Sequence, residues 1–135
     1  MAIFLSNDVQ VTLNAVDLSD HVTSATINRL FDELEVTAMG DTSHVFVKGL
    51  EASTITLDFL NDTATSNVLQ TLQAAWGSTV TLTLKQTSGA TSATNPLYST
   101  TVLVNNTTDI NGAVADISVQ SLSLTCNSPI VITTS

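Results

Sequence analysis

The chain has little of what most functional classes require. Among its 135 residues Cys126 is the only cysteine, so no disulfide can close within the chain, and synthesis in a reducing compartment is expected. Its three basic residues, Arg29, Lys48 and Lys85, stand far apart in sequence against twelve acids, and the formal net charge is −9. Binding to nucleic acid needs clustered Lys and Arg on the phosphates, so that class is set aside. The aromatics are Phe4, Phe31, Phe46, Phe59, Trp76 and Tyr98, a poor basis for the exposed stacking platform a sugar site needs. Charged residues make up only 11%, less than a free-standing domain usually carries. No apolar run approaches a membrane span. The stretch Ala2-Ile3-Phe4-Leu5 before Ser6-Asn7-Asp8 is too short for a signal-peptide core and lacks a basic start.

What is abundant is threonine, at 23 of 135 positions, inside hydrophobic alternation. Val9, Val11 and Leu13 alternate with Gln10 and Thr12, a half-buried strand ending in a turn at Asn14-Ala15-Val16-Asp17. Val22 to Val36 reads as an extended strand with an irregularity near Leu30-Phe31. Ile55, Leu57 and Phe59 oppose Thr54, Thr56 and Asp58 in the cleanest strand of the chain. The period then changes. Val68, Leu69, Leu72, Ala75 and Trp76 share one helical face, which predicts a helix over about Thr65 to Trp76, with Leu69, Leu72 and Trp76 packed on the sheet. Asp62, Thr63 and Thr65 are its capping candidates and Gly77 its stop.

Strands follow at Val80 to Leu84 and at about Leu97 to Asn105, separated by a flexible loop from Thr87 to Pro96. Asn111-Gly112 is the best tight-turn signal. Between Val114 and Thr125 the apolar residues pass from odd positions (Ile117, Val119) to even ones (Leu122, Leu124), which predicts a β-bulge at Gln120-Ser121. Ile130-Val131-Ile132 makes a short terminal strand, a candidate for donation to a neighbour. The length fits one domain, residues 1–135, with terminal arms at about 1–8 and 127–135.

The catalytic inventory is thin. His21 and His44 have no metal-ligand spacing with each other or with Cys126, and hydrogen-bonded or surface histidines account for both. Asp32, Glu33 and Glu35 lack the glycine-assisted turn and ligand number of a calcium loop. No nucleophile elbow, P-loop or dinucleotide glycine pattern occurs. The expectation is a protein that is not an enzyme and takes no cofactor and no metal. Weakly charged, Thr-rich strand surface is comfortable where neighbouring subunits cover it, and a free monomer would leave poorly protected sheet edges, so self-assembly is expected.

Three runs carry a resemblance: Val16-Asp17-Leu18-Ser19-Asp20-His21-Val22; Glu35-Val36-Thr37-Ala38-Met39-Gly40-Asp41-Thr42; and Gly49-Leu50 entering the strand that finishes Leu57-Asp58-Phe59. With the helix end Leu72-Gln73-Ala74-Ala75-Trp76-Gly77 and the loop Ser92-Ala93-Thr94-Asn95-Pro96, the chain from about Val9 to Leu124 resembles the tail tube (major tail) proteins of long-tailed bacteriophages. The resemblance implies a mainly β fold, a β-sandwich or half-barrel with one packed α-helix and a long inter-strand loop. It also implies a structural virion protein, made in the host cytoplasm, whose rings of six stack into a tube that guides DNA during ejection.

Its partners would be further copies of itself and other tail proteins, with DNA passing unbound and no membrane involved. The loop from Thr37 to Gly49 would join rings through Met39, Asp41, His44, Val45, Phe46, Val47 and Lys48. Glu33, Glu35, Glu51 and Asp58 are the candidates for unpaired acids facing the lumen, where they would repel phosphates. Two other classes share the composition. A capsid decoration (cement) protein would sit on the shell exterior, and an immunoglobulin-like adhesion or carbohydrate-binding domain would need exposed aromatics.

Overall fold

The computed structural model describes residues 9–63 and 68–134. The expected helix start and cap at Thr65, and the arm at 1–8, lie outside the described residues.

The period-2 segments form antiparallel strands. They are β1 (Gln10–Leu13), β2 (Val16–Asp17), β3 (Val22–Asn28), β4 (Phe31–Glu35), β5 (Phe46–Glu51), β6 (Thr54–Leu60), β7 (Thr79–Lys85), β8 (Leu97–Leu103), β9 (Val119–Cys126) and β10 (Val131–Thr133). The helix α1 (Val68–Ala75) lies between β6 and β7. The main sheet runs β2-β1-β7-β8-β9-β6-β3, with β10 also paired to β8, while among the described residues β4 and β5 pair only with each other. The fold is mainly β, as expected. Among the described residues no helix is long and apolar enough to cross a membrane.

The chain order forces this sheet to curl. Edge strands β2 and β3 are consecutive in sequence, separated only by residues 18–21. Six strand spacings of about 4.8 Å would hold the edges of a flat sheet about 29 Å apart. The five Cα steps from Asp17 to Val22 reach at most about 18 Å. The result is a half-barrel whose concave face holds one core: Val11 and Leu13, Ile55, Leu57 and Phe59, Leu82 and Leu84, Val102, and Leu122 and Leu124, capped by Val68 and Leu72 of α1.

The short link is strapped to β1. Leu18 N–H donates to Val11 O at 2.9 Å, Val11 N–H donates to Ser19 Oγ at 2.9 Å, and Leu18 is fully buried. Ser19 also holds the Asp17 carboxyl below its ordinary range, first through its hydroxyl and then through its N–H. The β1–β2 turn uses Asn14 and Ala15, both at positive φ (51° and 66°), as a primed hairpin turn demands.

Several expectations change. Trp76 is 56% exposed, because the helix stops at Ala75 and Gly77, at φ +74°, turns the chain away before position 76 can rejoin the buried face. Leu69 and Leu72 are buried as expected. No bulge interrupts β9, whose pairing with β6 runs unbroken from Leu60↔Val119 to Thr54↔Thr125. The alternation in sequence failed because a polar residue takes an inward position. Gln120 is 3% exposed, accepts Thr108 N–H at 3.1 Å and donates to Asn61 Oδ1 at 2.7 Å.

The strand accordingly starts at Val119, and Ile117 stays outside it. The tight turn falls at Val114-Ala115, with Ala115 at φ 68°, rather than at Asn111-Gly112. The loop from Thr87 to Pro96 wraps the buried Asn95 side chain, whose Nδ2 reaches Thr87 O, Gly89 O and Ala90 O. The terminal strand β10 pairs within its own chain, Ile132 opposite Tyr98.

Candidate functional site: a projecting hairpin and an open seam

Loop Thr37 to Gly49 is largely a β-hairpin. Phe46, Val47, Lys48 and Gly49 lie in β5, with Glu35↔Phe46, Leu34↔Val47 and Glu33↔Lys48 as cross-strand partners. The segment read as apolar loop is half of a ribbon whose other half is the acidic run Phe31-Asp32-Glu33-Leu34-Glu35. The pairing slips between Phe31 and Glu33, and Gly49 faces that irregularity. A Cβ at Gly49 would lie 2.9 Å from Asp32 O and 3.0 Å from Asp32 Cβ, so only glycine fits without displacing the backbone.

The tip, residues 36–45, is closed by its own polar groups. Val36 N–H donates to Val45 O at 2.8 Å, Val45 N–H donates to Thr37 Oγ1 at 2.8 Å, and Ala38 N–H donates to Asp41 Oδ2 at 2.8 Å. Gly40 supplies φ +95°. Thr37 Oγ1 donates to Glu35 Oε2, which also meets His44 Nδ1, and the His44 ring lies 6.3 Å from that of Phe46.

Cross-strand pairing sorts the side chains into two faces. One face carries Phe31, Glu33, Glu35, Phe46 and Lys48, with Lys48 Nζ 5.7 Å above the Phe31 ring. The other carries Leu34 opposite Val47 and, beside them, Val36 and Val45. Among the described residues nothing covers either face. Every residue of β4 is exposed, and Leu30, Phe31, Leu34, Val36, Met39, Val45, Phe46, Val47 and Leu50 are large apolar side chains at 40% exposure or more. A two-stranded ribbon is at best marginal in water by itself.

Among the described residues, the ribbon is tied to the body at its base. Ala52 N–H donates to Leu30 O, Leu30 N–H donates to Ser53 Oγ, and Glu51 Oε2 accepts both Ser53 Oγ and Ile130 N–H, the last at 2.9 Å. These bonds, Ile130 first, hold the Glu51 carboxyl below its ordinary range.

The four expected lumen acids therefore divide between two sheets. Glu33, Glu35 and Glu51 belong to the hairpin, and Glu35 and Glu51 are hydrogen-bonded rather than unpaired. Asp58 alone lies on the main sheet, on the face away from the core. Its row is Ser24-Asp58-Ser121, beside Thr26-Thr56-Ser123 and Asn28-Thr54-Thr125, and its Oδ1 is closed from solvent with no hydrogen-bond partner. This convex face is a hydroxyl surface with one acid.

His21 sits 2.9 Å from Asp62 Oδ2. Cys126 is partly buried against the core and its thiol is pushed up by that burial, as for a packing residue. Among the described residues no group of three or more His, Cys, Asp or Glu is placed to hold a metal.

A second feature had no sequence signal. Between edge strand β3 and the β1/β7 side, the half-barrel is left open as a groove of about 820 Å³. It is lined by Val22, Ile27, Leu84 and Tyr98 and by two of the three basic residues of the chain, Arg29 and Lys85. Fifty-six positions separate the two cations in sequence, and only the curl of the sheet brings them to one groove.

No protein-family model matches the chain, and a search of curated proteins finds no significant relative.

Proposed function

We propose that this chain is a structural virion protein of the tail-tube kind, self-assembling into rings of six that stack into a conduit for DNA. One observation carries the reading: the β4–β5 hairpin presents nine large apolar side chains to water and, among the described residues, is anchored only at its base. Apolar surface of that extent on a marginal ribbon is what a subunit interface covers.

Met39, Val45, Phe46 and Val47, with Leu34 and Val36 across the ribbon, are the contact residues in this reading, and Asp41, His44 and Lys48 shape the tip around them. The hydroxyl face of β3, β6 and β9 supplies the channel wall. It offers DNA no cations, and Asp58, repeated in each subunit, repels phosphate. The role is passive and mechanical.

Electron microscopy of the purified chain tests the reading. Tubes or rings with an axial hole are expected. Knobs bound to a capsid exterior would favour the decoration reading, and monomers at every concentration would reject assembly.

A further inference from the structure

We propose that the open seam of the half-barrel is the receptor for the β4–β5 hairpin of a second copy, with Arg29 and Lys85 selecting its acids; this rests on the assembly reading above. The two surfaces complement each other in charge. Residues 31–51 carry Asp32, Glu33, Glu35, Asp41 and Glu51 against the single cation Lys48, a formal −5 + 1 = −4, whereas the groove gathers the other two cations of the chain. Like charges over the rest of a subunit at −9 repel a second copy in most orientations, so the seam is where an acidic ribbon meets least opposition.

They also complement each other in polarity. Phe31 and Phe46 share the face that bears Glu33 and Glu35, and the groove sets Val22, Ile27, Leu84 and Tyr98 beside its cations. Its volume is that of a site for a few side chains, which suits the face of a ribbon and not a whole domain.

The cations are available. Lys85 Nζ donates to Gly89 O at 2.8 Å, one of its three possible donations, and an Arg29 guanidinium can take a carboxylate in bidentate fashion. Because hairpin and seam are different surfaces of one chain, the contact is heterologous: each copy offers a hairpin to one neighbour and a seam to another. Such contacts generate closed rings or open stacks and do not stop at a two-fold dimer.

The test uses the full chain, with assembly followed by sedimentation velocity and electron microscopy and folding by circular dichroism. The Arg29→Glu/Lys85→Glu variant is expected to stay folded and to need at least about 10-fold more protein to assemble, the equivalent of one lost charge-assisted contact. Adding Glu33→Lys/Glu35→Lys to that variant is expected to restore assembly. A benzophenone side chain at Ala25, which lines the groove on the inward face of β3, is expected to cross-link to residues 31–51 of another chain.

Unchanged assembly of the groove variant overturns the receptor assignment while leaving assembly intact. So does a cross-link to any other segment, including Met1–Asp8 of the same chain. A parent chain that forms no assembly at all overturns both proposals.

Discussion

Replacing Gln120 separates two registers for β9. The unbroken pairing places Gln120 inward, opposite Phe59, where its amide accepts Thr108 N–H and donates to Asn61 Oδ1. Asn61 in turn donates to Ser118 Oγ at 2.8 Å, so the amide ties the strand to the segments on either side of it. Gln120→Ala takes the partner from Thr108 N–H, on an exposed residue, and from Asn61 Oδ1, on a half-buried one, and opens a cavity at a position only 3% exposed. A loss of about 1 to 3 kcal/mol is expected, read as a lower urea midpoint by far-UV circular dichroism, with Tm falling by about 3 to 5 °C per kcal/mol in a chain of this size.

Gln120→Glu keeps the shape but puts an acceptor against Asn61 Oδ1 and a carboxyl in a buried site. Burial raises the folded-state pKa of that carboxyl above its unfolded value of about 4.3. The native state then binds the extra proton, so this variant loses stability as pH rises from 4 to 8, relative to the parent. A surface position would show almost none of this, since exposed substitutions stay within about 0.5 kcal/mol. Effects that small for both variants would mean that Gln120 points outward and the strand is bulged.

Leu72→Ala removes a fully buried side chain from the helix face that caps the core and should cost about 2 to 5 kcal/mol by urea unfolding. Trp76→Ala should change stability little, because the indole is mostly in water. Glu51 has a depressed folded-state pKa, so its stabilisation is present above the ordinary value of 4.5 and is lost as pH falls through the folded one; Glu51→Gln should flatten that part of the acid-unfolding curve. Asp58→Lys should slow DNA ejection from assembled particles, most at low salt, while Asp58→Asn leaves ejection near the parent rate; equal rates for both at every ionic strength would remove Asp58 from the channel wall.

The strands were legible wherever one face is uniformly apolar. Ile55, Leu57 and Phe59 could hardly lie otherwise, whereas the single strand expected from Val22 to Val36 is divided near its expected irregularity at Leu30-Phe31 into β3 and β4 of two different sheets. Legibility failed where a polar residue takes a buried place with partners distant in sequence. Gln120 depends on Asn61, and Asn95 on carbonyls that only a closed loop presents. The hairpin was half visible. Phe31 to Glu35 lay within the segment read as extended, whereas its partner, Phe46 to Gly49, read as loop because nothing local relates the two. The seam was invisible, because nothing local relates Arg29 to Lys85.

The strap of residues 18–21 also sets how the half-barrel can deform. It crosses from one sheet edge to the other and is bonded to β1 through Leu18 and Ser19, so at that end the seam has a fixed width. At the far end, where β3 runs out towards Asn28 and Arg29, no strand among the described residues pairs across the gap. The seam is therefore pinned from both edges at the Ser19 end, whereas at the Arg29 end β3 is held from one side, by its pairing with β6 and the bonds of Leu30 to Ala52 and Ser53.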